Sequence, residues 1–150
     1  MTRDAAITSK IMSAVKSKDT RPELRLRREL WRLGYRYRVN YKALPGKPDI
    51  VFIKKKVAIF CDGDFWHGHN WVLRGMPSLE AELETYSPFW KSKILGNVAR
   101  DERVTAQLRD MGWTVIRLWA SAINSDLAKC IDVIQSSLIG STPNAAQSSL

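Results

Sequence analysis

Two short apolar runs separated by three lysines leave the centre of this chain little choice of structure. Ile50-Val51-Phe52-Ile53 and Val57-Ala58-Ile59-Phe60 flank Lys54-Lys55-Lys56. Both runs are rich in β-branched and aromatic residues, and neither has room for a helix. They predict a β-hairpin with a cationic turn. Reversing the chain at the lysines sets Pro48-Asp49, at the mouth of the first strand, beside Cys61-Asp62-Gly63-Asp64-Phe65-Trp66-His67 at the end of the second.

Asp49, Asp62, Asp64 and His67 therefore converge. Carboxylates from adjacent strand ends with an imidazole nearby suit a hard divalent cation, which takes oxygen ligands, can hold a phosphate and can activate water. The alternative is a hairpin with ordinary polar ends.

The elements around this hairpin follow from periodicity and caps. Residues 4–15 predict a helix with Ile7, Ile11 and Val15 on one stripe. Thr20-Arg21-Pro22-Glu23 predicts a second helix start: Thr20 caps, Pro22 fits the first turn and Glu23 completes a capping box. On this motif alone Glu23 reads as a structural cap. The helix runs to about Leu33 with Leu26, Leu30 and Leu33 buried, and Gly34 stops it. Arg36 to Lys42 alternates, predicting a half-exposed strand whose cationic face either tracks phosphates or is plain surface. Pro45 and Pro48 predict a rigid turn presenting Asp49.

Downstream, Phe65, Trp66 and Trp71 crowd a glycine-rich loop, where they either meet nucleobases or fold back on the core. Residues 72–87 read as a weakly patterned acidic connection. A long helix capped by Thr85 or Ser87 runs to about Met111, with Lys93, Asn97 and Asp101 as one polar stripe. Trp113 to Trp119 predicts a buried central strand, and residues 123–138 a last helix capped by Asn124 or Ser125. The order predicts a mixed α/β (α+β) sheet flanked by helices, as one domain over 1–139 with a disordered tail at 140–150.

Charge is distributed unevenly. Residues 1–60 carry a net charge of +11 and residues 61–150 carry −2. A cationic half of that size points to a polyanionic partner, most simply nucleic acid. No apolar run approaches the ~20 residues of a membrane span, and Met1-Thr2-Arg3-Asp4 leads into no signal-type apolar region. Cys61 and Cys130 fit no metal-finger spacing, so a reducing cytoplasm is expected.

Several segments then follow one another in order from about Ile11 to Trp119: Met12-Ser13-Ala14-Val15, Ser17 to Glu23, Leu44 to Asp49, Phe65-Trp66-His67, Trp90 to Ile94 with Asn97 to Asp101, and Gly112-Trp113 with Trp119. In sequence and spacing the chain resembles the very-short-patch-repair (Vsr-type) mismatch endonucleases, which share the PD-(D/E)XK nuclease fold. The resemblance implies a Mg²⁺ ion, with Mn²⁺ as a substitute, held by Asp49 and the Cys61 carbonyl. Asp62 stands where the best-known members carry a catalytic histidine, and a carboxylate there is placed to bind metal directly. His67 would be the general acid or base, with Glu23 and Asp101 holding metal-bound waters or orienting His67. Phe65, Trp66 and Trp90 would enter the duplex beside a mismatch, with Met12 approaching from the other groove. Lys18, Lys47, Lys93, Asn97 and Arg100 would contact the DNA.

The family's structural zinc positions fall at Asp64, His69, Trp71 and Ser121. Too few good ligands remain there, so no structural zinc is expected and packing by Trp71 and its neighbours would replace it. The implied function is nicking 5′ to the thymine of a T:G mismatch by a monomer in the bacterial cytoplasm, at the nucleoid when acting. The alternatives are a restriction-like or mobile-element-associated nuclease without strict mismatch preference, and a DNA-binding module that has lost catalysis.

Overall fold

The computed structural model describes residues 18–140. The expected helix over 4–15, with Met12, and the tail from 141 lie outside them. Within these residues the order is α1 (Arg21–Arg32), β1 (Arg38–Val39), β2 (Ile50–Phe52), β3 (Val57–Asp62), α2 (Asn70–Leu73), α3 (Leu79–Leu83), α4 (Pro88–Asp110), β4 (Thr114–Trp119), α5 (Ala120–Ser125) and α6 (Leu127–Ile139).

The sheet order is β1-β2-β3-β4. The first three strands pair antiparallel, with Ile50 opposite Ile59; β4 runs parallel to β3, with Asp62 opposite Trp119. A parallel neighbour needs a crossover, and α2 to α4 supply it. The sheet separates two apolar layers because strand side chains alternate faces. Ile50, Phe52, Val57, Ile59, Ile116 and Leu118 pack with Leu26 and Leu30 of α1 and with Ile131 and Ile134 of α6. Val51, Ala58, Phe60 and Val115 pack with Leu108 of α4. Leu26 and Leu30 are fully buried, and each contributes about 1.5–3 kcal/mol by leaving water. A third cluster, Phe65, Leu83, Trp90 and Ile94, sits beyond the end of β3.

Four expectations change. The strand over 36–42 shortens to Arg38–Val39, because Asn40 takes φ +46° and turns the chain. Its backbone still reaches the hairpin, with Asn40 and Tyr41 N–H donating to Asp49 and Pro48 carbonyls at 3.0 and 2.9 Å. Leu33 is 40% exposed rather than buried, since α1 ends one residue earlier. The last helix breaks in two at Asp126, whose side chain accepts from Lys129 N–H at 3.2 Å and so caps α6. The acidic connection is partly a core element: Glu82 is 1% exposed, 2.8 Å from Arg74 Nη1, and accepts from the Tyr86 hydroxyl at 2.6 Å.

The turn before Asp49 depends on glycine more than on proline. Gly46 has φ +75°, and a Cβ there would sit 2.5 Å from Val104 Cγ1 and 3.3 Å from the Phe60 ring. Gly46→Ala combines left-handed strain with overpacking, each on the order of 1–3 kcal/mol. A loss of about 2–4 kcal/mol in chemical denaturation is expected, and an unchanged midpoint would show that the turn relaxes freely.

Candidate active site

The strand ends bring four carboxylates and a histidine into one cleft. Asp49 is fixed across the hairpin: its N–H donates to the Ile59 carbonyl at 3.0 Å, and its Oδ2 accepts from Cys61 N–H at 2.7 Å. Glu23 arrives from the first turn of α1 and is 2% exposed. Its Oε2 accepts from Thr20 N–H at 3.3 Å and lies 3.5 Å from Arg27 Nη2. Glu23 is thus a helix cap and a wall of the cleft at once.

Asp62, 4% exposed, ends β3 on the α4 side of the sheet. Arg117 Nη1 stands 3.1 Å from both of its carboxylate oxygens. His67 hydrogen-bonds Asp101 of α4 through Nδ1, which lies 3.9 Å from Asp62 Oδ1. Asp62, His67 and Asp101 each bring one ligand atom within 4.8 Å of the others, a grouping of a kind that can hold a cation.

Glu23, Lys47, Asp49, Cys61, Asp62, His67, Arg100, Asp101 and Arg117 line a cavity of about 200 Å³. A neighbouring concavity of about 530 Å³ shares Glu23, Cys61, His67 and Arg100 and adds Trp66, Lys93 and Asn97. Sequence separations of 34 residues for His67–Asp101 and 55 for Asp62–Arg117 show how much of this site the fold assembles.

The electrostatics distinguish the two strand-end acids. Burial above all, then the charge of Glu23, push Asp49 up to about 7, against the pull of the Cys61 N–H; Asp62 adds to the rise. Among the described residues no lysine, arginine or histidine forms an ion pair with Asp49. Asp62 is also raised, chiefly by burial, although His67 and Arg117 oppose this. Burial disfavours a charged His67, yet the Asp101 hydrogen bond and the Asp62 charge outweigh it and raise its pKa. Asp49, which no cationic side chain among the described residues pairs, offers with Glu23 the oxygen donors that a hard divalent cation takes, so the two fit such an ion.

These shifts set a pH dependence. Folded Asp49, Asp62 and His67 all bind protons more tightly than in the unfolded chain, so the stability these three groups contribute is present at low pH and is lost as pH rises, for Asp49 through about 7. A cation at Asp49 reverses the loss by binding the deprotonated folded state. In chelator, the melting temperature is expected to drop across this range. Excess Mg²⁺ should flatten the high-pH side, at ~2–4 °C per kcal/mol for a chain of this size. A metal-independent profile would contradict this.

The structure sorts the remaining expected residues. Lys47, Lys93 and Arg100 line the two concavities; Lys18 is exposed but lines neither. Asn97 is 7% exposed and donates to the Trp66 carbonyl at 3.0 Å, so its amide positions the loop instead of standing on a solvated stripe. Phe65 and Trp90 are each 7% exposed, in edge contact at 5.4 Å, so they are buried in the free protein and not displayed on its surface. Trp66 stands on them with centroids 5.6 and 5.3 Å away, while Phe89 is 67% exposed beside Trp90.

The Cys61 amide is tied to Asp49, and Asp62 is engaged by arginine. At the positions of the family's zinc site, Asp64 accepts from Ser121 Oγ at 2.8 Å and Ser121 N–H at 3.0 Å. It also meets His69 Nδ1 at 2.8 Å, and His69 stacks on Trp119 at 4.0 Å. The loop is tied to α5 through these contacts, and Trp71 is half-buried. Arg117 was not among the expected residues. The signal for it was a charge inside an otherwise apolar strand, since a buried charge must have a partner.

Comparison with known proteins places the sequence in a family. Residues 2–73 match the family described as DNA mismatch endonuclease Vsr. The chain is 42% identical over 126 residues to the type II nicking enzyme V.NmeDIP of Neisseria meningitidis serogroup C, covering 84% of this chain and 82% of that protein. It is 42% identical over 108 residues to the type II nicking enzyme V.HpaIIP of Haemophilus parainfluenzae, covering 72% and 73%. It is 38% identical over 120 residues to the DNA mismatch endonuclease Vsr of Escherichia coli strain K12, covering 80% and 73%. A four-stranded mixed sheet flanked by helices, with acids at its strand ends, is consistent with a PD-(D/E)XK-like core. The chain belongs to the Vsr family of DNA mismatch endonucleases and is an endodeoxyribonuclease.

Proposed function

We propose that this endonuclease recognises a T:G mismatch in double-stranded DNA and, with Mg²⁺, nicks one strand 5′ to the mispaired thymine, as very-short-patch repair requires. The observation that carries this reading is the convergence of Asp49 and Glu23 with the His67–Asp101 pair in one cleft rimmed by Lys47 and Arg100 and flanked by Trp66.

Asp49 would hold the divalent cation, with the Cys61 carbonyl as second ligand and Glu23 bonding waters there; Mn²⁺ would meet the same oxygen donors. Bound there, the ion supplies Lewis acidity toward the phosphate and a lowered pKa for water. The chain's own groups do the rest. Asp101 holds His67 through Nδ1, which fixes the tautomer and leaves Nε2 for the substrate. The upward shift of its pKa favours the protonated ring, so Nε2–H is set to protonate the departing 3′ oxygen. Lys47 and Arg100 meet phosphate oxygens and stabilise charge that develops on them.

Trp66 supplies the wedge, backed by Phe65 and Trp90 and held by Asn97. Unstacking a base step costs a few kcal/mol, and least at a mispair, so a rigid aromatic wedge favours mismatched duplexes. One cleft in a monomer cuts one strand, and a bacterial cytoplasm is the compartment where such DNA is met. Mapping the product of an end-labelled T:G duplex tests the reading. A single Mg²⁺-dependent nick 5′ to the thymine is expected. A double-strand break, or a nick that persists in chelator, would overturn it.

A further inference from the structure

The two strand-end acids are neutralised by different means. Asp49 has no ion pair with a cationic side chain among the described residues. Asp62 has Arg117, whose Nη1 sits 3.1 Å from both of its oxygens. The guanidinium is held on every side. Its Nε donates to Thr105 Oγ1 at 2.8 Å, Nη2 donates to the Asp101 carbonyl at 3.3 Å, and Nη1 is 3.8 Å from Asp101 Oδ1. Its plane carbon lies 4.1 Å from the Phe60 ring centroid, beside Phe60 in the sheet register. The side chain is 13% exposed.

Distances alone make Asp62, His67 and Asp101 look like a metal site. Yet a permanent positive charge already bridges two of the three. A guanidinium stays ionised at any working pH, and its planar fork suits carboxylates. A divalent ion among these ligands would face that charge at contact distance in a half-buried cleft, where like charges repel strongly. We propose that Arg117 is a built-in cation that occupies the place of a metal ion at Asp62 and Asp101, so that Asp62 is not a metal ligand in this enzyme.

This proposal rests on the reading that the working ion belongs to Asp49. It makes Arg117 a positioning residue. By neutralising Asp62 and gripping the Asp101 backbone, it keeps both acids free of metal, so that Asp101 stays committed to His67. It also gives the carboxylate at position 62 a role compatible with catalysis.

The test counts Mn²⁺ ions bound to the full chain by electron paramagnetic resonance, without reference to activity. Asp62→Asn is expected to keep the wild-type count. Arg117→Met is expected to bind one ion more than wild type, and the double variant with Asp62→Asn to lose that extra ion. Arg117→Lys keeps the charge and should add none. Loss of an ion in Asp62→Asn, or no extra ion in folded Arg117→Met, would overturn the proposal. If Arg117→Met does not fold, the Asp62→Asn count decides by itself. Asp49→Asn separates the two readings. If it retains every ion, the assignment to Asp49 fails, while an Asp62-dependent extra ion in Arg117→Met still upholds the role of Arg117.

Discussion

Asp49→Asn is expected to slow nicking of a T:G duplex by about 10³-fold or more, the scale of losing a main electrostatic element from a preorganised site. Duplex binding should stay within a few-fold, because phosphate contacts come from lysines and arginines and not from this acid. The same change should raise the melting temperature in chelator near neutral pH. Asparagine keeps an acceptor for the Cys61 N–H, at 2.7 Å in the native chain, and removes the charge that burial and Glu23 disfavour. A site that is unstable without its ligand, and stabilised by losing its function, is the expected trade for an acid placed to bind metal. Single-turnover nicking, fluorescence anisotropy and thermal melting measure the three effects. Full activity in this variant would remove Asp49 from the chemistry.

His67→Gln is the second large effect, expected at about 10²–10⁴-fold in rate, the range for a positioned general acid. Glutamine can still hydrogen-bond Asp101 but cannot deliver a proton. The wild-type rate should fall at high pH as His67 deprotonates, at a pH above the usual imidazole value because Asp101 and Asp62 outweigh burial. The variant should lose that limb. An unaltered pH profile in a slow variant would mean that His67 orients groups without transferring a proton.

Much of this was legible in the chain because local rules governed it. The hairpin came from short β-branched runs on either side of three lysines, and α1 from Thr20, Pro22 and Glu23. Elsewhere, local pattern and tertiary demand diverged. Alternation over residues 36–42 carries no mark of the left-handed turn at Asn40, whose side chain donates to Asp19 Oδ1 at 3.1 Å, 21 residues away. Apolar periodicity runs through Asp126, so the helix break there was hidden, although aspartate is a strong cap.

Lys93, Asn97 and Asp101 share one face of α4, as their spacing of four requires. Of the three only Asn97 is buried, because the loop of residues 63–69 brings the Trp66 carbonyl against its amide. Phe65 takes the second of the two readings its glycine-rich loop leaves open and folds back on the core, where Trp90 of α4 meets it edge-on. Glu23 shows that a structural and a functional reading of one residue can both hold. Arg117 lies inside an apolar strand, and no local pattern marks its role, since its partners Asp62, Asp101 and Thr105 lie elsewhere in the chain.

Single-turnover nicking rates on two end-labelled duplexes, identical except for T:G against T:A at one position, give the most direct measurement of the central claim. With Mg²⁺ present, the expected result is one nick beside the mispaired thymine, with the matched duplex left essentially intact. Equal cutting of both duplexes would contradict it and would move the chain to a nuclease without mismatch preference.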